Sequence, residues 1–375
     1  MLTKNKTTQR KKKPDFLTLG IFGILLVFGL FTVGTISFSL SLSQYRDVWY
    51  IFSHQALMVG IGLILGFIAY KIPIKKLNKL AFWLFLLNLV LVFLVFCPGI
   101  GVQIKGAHRW LRFSSFSFQP SEFLKVSFIL YLAAWLSSKI KTKKEKNQII
   151  SLVPFLAIMG ILFAGLIAQP DQTTLAIICL VGGAMYLASK APWWHFAVIV
   201  GVGGMGFFIS TIFKPYRLSR VITMFKPHSD PLGAGYQLKQ AAIAMGSGKI
   251  FGAGDGFSFG LSRQKFGLLP EAITDSIFAI VGEELGFLGA MLLVSLFLFF
   301  CYQGLKIAKA NGQTFEGFLA LGIICWITLQ SLANIGGIVG ILPLGGIPLP
   351  FFSYGGSHIM AELIGVGLLL NVSRK

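Results

Sequence analysis

The sequence predicts an all-α membrane protein of about ten transmembrane helices, with one large extracytoplasmic loop between the seventh and the eighth. Three observations carry that prediction. Of the 375 residues, 55% are hydrophobic and only 12% are charged, about half the charged share of a soluble domain. A water-soluble fold of this length has no interior large enough for so much apolar surface. The apolar residues fall into runs close to the ~20 residues that cross a hydrocarbon core, and Lys and Arg gather in the short connections on one side of those runs.

Taken in order, the runs cover 16–42, 50–70, 80–97, 119–138, 149–168, 173–189, 194–213, 275–305, 315–340 and 352–372. The first follows Lys4, Lys6, Arg10, Lys11, Lys12 and Lys13. It is too long for a signal peptide and lacks a small-residue cleavage site, so it reads as an uncleaved span. The sixth and seventh are short and contain glycine, and the ninth is expected to end near Gly336–Gly337. Residues 1–15 then form a basic cytoplasmic tail, 16–372 one polytopic domain with its loop at 214–274, and 373–375 a cytoplasmic end. Neither an internal repeat nor a soluble domain is visible.

With the N-terminus in the cytoplasm, 20 of the 33 Lys and Arg fall on the cytoplasmic side, 12 fall outside, and Lys125 lies within a span. The net charge of +20 is thus mainly a topology signal facing anionic lipid, not a nucleic-acid surface. Arg109, Arg112, Arg217, Arg220 and Lys226 gain nothing from that rule on the outer face, and a phosphate-rich ligand would explain them. The 214–274 loop is long for a connector; its stretch Tyr236–Met245 is amphipathic and suited to the membrane interface. Gly246–Lys249 lacks the spacing of a nucleotide-binding loop. His54, His108, His195, His228 and His358 are scattered and form no metal set. Cys97, Cys179, Cys301 and Cys325 show neither ligand nor disulfide spacing and read as small buried hydrophobes.

Ionisable groups inside apolar runs are costly and therefore informative. Glu122 and Lys125 are three apart and can meet on one helix face, either as an ion pair that fixes packing or as the polar floor of an outward cavity. Asp171 can cap the sixth helix or join that cluster. Asp275 stands at the outer mouth of the eighth run, where it either caps the helix or acts as a base whose pKa is raised by partial desolvation. Glu283 and Glu284 read as packing groups of which only one can face a given partner, and Glu362 as structural. Residues 343–357 alternate Pro and Gly with apolar residues, the composition of a re-entrant segment.

In this order, several segments resemble the SEDS family, the group that contains FtsW, RodA and SpoVE. They are Gly106–Leu111, Gln119–Glu122 with Lys125, Gln169–Asp171, Asp230–Gln237, Leu269–Glu271 with Thr274–Asp275, Glu283–Gly286 and Pro348–Ser357. Ser262–Phe266 favours the FtsW-like branch. The chain departs from the family pattern at Gln172–Thr174, at Ile273 and at Ser276. The resemblance implies a SEDS-type fold of ten helices and polymerisation of lipid II into peptidoglycan strands in cell division or elongation, with a class B penicillin-binding protein as partner. A lipid II flippase and a non-catalytic scaffold for that transpeptidase are the alternatives.

What the resemblance further implies is a single inverting displacement with undecaprenyl pyrophosphate as leaving group. Asp275 matches the family's essential carboxylate and is the expected base or its orienter. The expected substrate-binding residues are Arg109, Trp110, Gln119, Glu122, Lys125, Asp171, Arg217, Arg220, Glu271 and Ser353. A divalent cation, Mg or Mn, between phosphate and Asp275 is neither required nor excluded.

Overall fold

The computed structural model describes residues 13–104, 106–113, 116–142, 149–253 and 262–374. Lys105, Lys143, Lys144, Lys146, Lys375 and all but the last residue of the basic tail's charges lie outside them. Among the described residues, ten helices form the bundle: α1 (Phe16–Tyr45), α2 (Tyr50–Lys71), α3 (Ile74–Leu94), α4 (Pro120–Thr142), α5 (Ile149–Ala168), α6 (Gln172–Ala188), α7 (Trp193–Ile212), α10 (Ile277–Asn311), α11 (Phe315–Val339) and α12 (Gly356–Val372). The two intervening helices, α8 (Pro215–Phe225) and α9 (Ala234–Ser247), belong to the long loop. Among the described residues, seven helices are long and apolar enough to cross a membrane; Leu152–Ala168, Gln172–Ala188 and Gly356–Val372 are shorter apolar helices.

Local chemistry sets the helix ends. Asp15 caps α1, its carboxylate accepting from the Leu17 N–H at 3.1 Å and the Thr18 hydroxyl at 2.8 Å. Pro73 starts α3 earlier than the apolar run implies, so Lys75, Lys76 and Lys79 occupy its first turns instead of a loop. Pro120 opens α4, where its missing N–H costs nothing. Helix α7 has 20 residues, so the expectation of a short seventh span fails, whereas α6 has 17.

The core lies around α4, α10, α11 and α12. Helix α12 is buried on almost every face and presses against α2 through glycines. A Cβ on Gly66 would lie 2.5 Å from the Leu363 carbonyl oxygen, and one on Gly367 2.1 Å from that of Gly66. Small residues that let backbones approach are the usual packing device in lipid, where apolar burial between helices gains little. Helix α7 is the most peripheral, with 6% of its span buried. Cys97, just beyond α3, is exposed, so the buried reading fails there; Cys179, Cys301 and Cys325 are half-buried.

Two features were absent from the sequence reading. Between α3 and α4 runs an antiparallel meander, β1 (Gly101–Ile104), β2 (Ala107–Phe113) and β3 (Phe116–Phe118), in the order β1-β2-β3. Helix α10 breaks at Gly286 (φ 67°). There residues 249–253 take over the freed backbone groups: Phe287 N–H donates to the Lys249 carbonyl at 2.9 Å and Ala253 N–H to that of Glu283 at 2.8 Å. Helix α9 packs Leu238, Ala241 and Ala244 inward against α10 and α11, while Ile243 on the same helix stays exposed.

The segment between α11 and α12 is irregular and deeply set, with Leu344, Ile347, Leu349, Phe351, Phe352 and Ser353 buried. Irregular backbone at that depth needs partners, and side chains from α6, α8, α11 and α12 are among those that supply them. Thr173 donates to the Gly345 carbonyl at 2.8 Å, Arg220 to Leu344 at 3.0 Å, Asn334 to Ile347 at 2.7 Å and Gln330 to Pro348 at 3.1 Å. Glu362 accepts from the Phe351 N–H at 2.9 Å.

Candidate active site

The turn that precedes α10 carries Asp275. Glu271, in the left-handed region (φ 53°), accepts backbone N–H bonds from Thr274 and Ser276, both at 3.1 Å, and the turn closes. The Thr274 hydroxyl also donates to the Glu271 carboxylate at 2.9 Å. Ser353, fully buried, braces the turn from behind: its hydroxyl donates to the Thr274 carbonyl and accepts from Leu349 N–H at 2.7 Å.

Three elements converge on Asp275, which is partly buried two residues ahead of the α10 span. From α9, Gln237 Nε2 donates to Oδ1 at 3.3 Å and to Ser276 Oγ at 2.8 Å. From α11, Asn334 Nδ2 donates to the Asp275 carbonyl at 2.7 Å. From the re-entrant segment comes Gly346, in the left-handed region (φ 63°). A Cβ built there would lie 3.6 Å from Asp275 Oδ2 and 3.9 Å from each terminal nitrogen of Arg220 on α8. Carboxylate and guanidinium thus border the same gap. Removal from water, then the Glu271 charge, push Asp275 up to about 6, while the Gln237 hydrogen bond and Arg220 pull it down.

Two more cations stand on β2 and α8. On β2, Arg109 Nε donates to the Gln169 carbonyl at 3.1 Å, and its Nη2 to that of Pro170. Arg217, buried, donates to the Ser210 carbonyl at 2.9 Å and reaches that of Ile167 at 3.5 Å. Burial, followed by the nearby Arg109 charge, lowers the Arg217 pKa. These two guanidiniums therefore stand near each other, bound to neutral carbonyl oxygens. Trp110 follows Arg109 on β2, half-buried and opposite Val102.

The remaining expected residues lie deeper. Asp171 caps α6, accepting from Thr174 N–H at 3.3 Å and from the Ser121 hydroxyl at 3.0 Å. Gln119 bridges from its backbone N–H to Ser357 Oγ and from its side chain to Ser121 Oγ, both at 3.0 Å. Lys125, 1% exposed, bonds Glu122 and Gln330, each at 2.9 Å, and lies over the Trp326 ring. Gln330 continues to Glu362 at 3.2 Å. The structure thus sets Asp275 and Arg220 on one gap, with Glu271 in the turn that carries Asp275 and Ser353 behind that turn. Arg109 on β2 stands near Arg217 on α8, with Trp110 next to Arg109, and Glu122 and Lys125 are sealed within the bundle.

Glu362 has a structural place, as its position in the last run suggested. Glu283 and Glu284 hold the returning end of the long loop. Glu283 accepts from the Ser262 hydroxyl and from Arg263 N–H at 3.1 Å, and Glu284 from Ser262 N–H at 3.4 Å. Both reach Ser262, which corrects the expectation that adjacent residues cannot share a partner: one takes its hydroxyl and the other its backbone. Gln237, Asn334 and Gly346 were not singled out from sequence. Gln237 closes a family-like segment, so a signal existed for it; the other two carried none.

Among the described residues, no three His, Cys, Asp or Glu side chains cluster as a metal site. Asp275 with Glu271, facing a guanidinium across the gap, is a poor donor set for a protein-held divalent cation.

The fold and site define an integral membrane protein with a carboxylate–guanidinium gap at the end of the bundle that bears the long loop. The chain belongs to the FtsW/RodA/SpoVE family of cell cycle proteins, whose model matches residues 16–375. It is 37% identical to stage V sporulation protein E of Bacillus subtilis, over 98% of this chain and 99% of that one. It is 38% identical to a probable peptidoglycan glycosyltransferase FtsW of Allochromatium vinosum, over 93% and 86%. Two solved structures share the fold. A chain from a peptidoglycan synthase complex superposes with a TM-score of 0.75 (24% identity, 96% of this chain and 98% of that one). The rod shape determining protein RodA of Thermus thermophilus gives 0.70 (23% identity, 96% and 97%).

Proposed function

We propose that this chain is a peptidoglycan glycosyltransferase that polymerises lipid II, with Asp275 as the base and the site on the extracytoplasmic face. The observation that carries this reading is the gap over Gly346, bordered by a desolvated carboxylate and a guanidinium. The acceptor hydroxyl attacks the anomeric carbon of the donor sugar. A C–O bond forms there while the bond to the diphosphate breaks, and the electron pair leaves with undecaprenyl pyrophosphate. The hydroxyl proton passes to Asp275, which is a competent base because its pKa lies near the working pH. Arg220, with Arg109 and Arg217, offsets charge growing on the leaving diphosphate. Trp110 supports the sugar or lipid beside them, and Glu271 and Ser353 hold the turn that aims the base.

Lys125, Glu122, Gln330 and Glu362 bond one another below the site. A closed network of that kind favours a polymerase over a flippase, which would need a wetted polar path. A class B penicillin-binding protein that cross-links the product is the fitting partner, and membrane lipid is the solvent. The test is Asp275→Asn in the purified full chain, with its partner transpeptidase present, supplied with lipid II. Glycan strands should vanish while the partner still co-purifies; undiminished strand formation overturns the assignment. The wild-type rate should fall as pH drops through about 6, since protonated Asp275 accepts no proton.

A further inference from the structure

We infer that Gln237 is a positioning residue for Asp275: its amide holds Oδ1 and leaves Oδ2 turned to the gap over Gly346 as the proton acceptor. This rests on the glycosyltransferase reading above and adds to it a residue and an element, α9 of the long loop, that the reading does not need.

The hydrogen-bond inventory fixes the amide's orientation. Ser276 Oγ has a single proton, and it donates that proton to the Pro270 carbonyl at 3.0 Å. It can therefore only accept from Gln237, so the atom 2.8 Å away must be the NH2 group and not the carbonyl oxygen. The second N–H of that group is then directed at Asp275 Oδ1, 3.3 Å away. A flipped amide would set its oxygen against both a carboxylate and a hydroxyl lone pair. Asn334 grips the Asp275 carbonyl from the opposite element at 2.7 Å, so the backbone is held independently and Gln237 acts on the side chain. Helix α9 is a firm platform for this, with Leu238, Ala241 and Ala244 buried beneath it.

Glu271 on the same turn and Arg220 on α8 are the charged groups that act on Asp275. Gln237 of α9, Asn334 of α11 and Gly346 of the re-entrant segment contribute neutral groups. A hydrogen bond donated to a carboxylate favours its charged form. Removal of the donor therefore shifts the acid limb of the rate profile upward and frees the side chain to rotate.

The experiment measures initial rates of lipid II polymerisation by the full chain with its partner, from about pH 5 to about pH 9, for wild type, Asp275→Asn, Gln237→Met and Gln237→Glu. Gln237→Met keeps the length of the side chain and removes the donor. Its acid limb should move up by about one unit, so the rate falls about eightfold at about pH 5.5 and returns to within about twofold of wild type at about pH 8.5. KM for lipid II should change less than about twofold, because the amide acts on the base and not on substrate. Gln237→Glu, of the same shape with an added negative charge, should move the limb further up and serves alone if the methionine variant does not fold. A limb that stays in place in the folded variants overturns the inference, whether the rate falls uniformly or not at all. An active Asp275→Asn enzyme rejects the parent reading, whereas an inactive one with an unmoved limb rejects only the role of Gln237.

Discussion

Gly346 matters for the atoms it lacks. A methyl group there would stand 3.6 Å from Asp275 Oδ2 and 3.9 Å from the Arg220 nitrogens, in space that a reacting oxygen has to enter. Gly346→Ala should therefore lower the polymerisation rate by roughly a hundredfold, the scale of an ångström misplacement at a reacting centre. The backbone cost of an L-residue in the left-handed region is about 1–2 kcal/mol, so the variant should still fold. Initial rates read beside a detergent melting curve check both halves; near-normal turnover in a folded variant would deny the gap its role. At this scale the sequence was legible where a residue is energetically out of place. Asp275 stood out because a carboxylate at the mouth of an apolar helix is costly, and Arg220 because topology does not explain a cation on that face. Gln237 and Asn334 are neutral amides and Gly346 is one glycine among many, so no cost marked them before their neighbours were known.

The re-entrant segment is the element that assembles the site, and its conformation is imposed by side chains from elsewhere. It joins a chain of bonds from Lys125 through Gln330 to Pro348, and from Glu362 to Phe351, where Phe351 is held in the left-handed region (φ 65°). Breaking one partner of a buried ion pair leaves an uncompensated charge, at about 3–5 kcal/mol. Lys125→Met should cost about that much in unfolding experiments, with Glu122→Gln added to it restoring a large part. If the double variant is no more stable than the single, the pair is not the organising unit. Sequence reading found this segment through its Pro and Gly content and found the ten helices through their length. It passed over the β1–β3 meander because strands of three to seven residues leave no mark in runs sized for a bilayer. Amphipathicity marks an apolar face on α9 but does not say that α10 and α11 cover Leu238, Ala241 and Ala244.

At the scale of the whole molecule, an even number of crossings puts both ends on one side, and the placement of charge proposes which. The short connections opposite the long loop hold Lys71, Lys139, Lys190, Lys306 and Lys309, with Arg374 at the last helix end. Short basic loops of that kind stay in the cytoplasm. On the proposed orientation the candidate site, at the end bearing α8 and α9, faces outward, where a lipid-linked sugar would be polymerised without reach of cytoplasmic nucleotides. Orientation is the premise on which the outer cations were assigned to a diphosphate, so it merits its own measurement. Cys97 is exposed beyond α3 and would react first, so the four native cysteines are replaced by serine or alanine before single reporters are introduced. Ser229→Cys, in the exposed stretch between α8 and α9, should react with a membrane-impermeant maleimide in intact cells. Ala310→Cys, exposed at the far end of α10, should react only after permeabilisation. The opposite pattern would place Asp275 and Arg220 in the cytoplasm, on the wrong side for strand synthesis, and the charge bias would need a different cause.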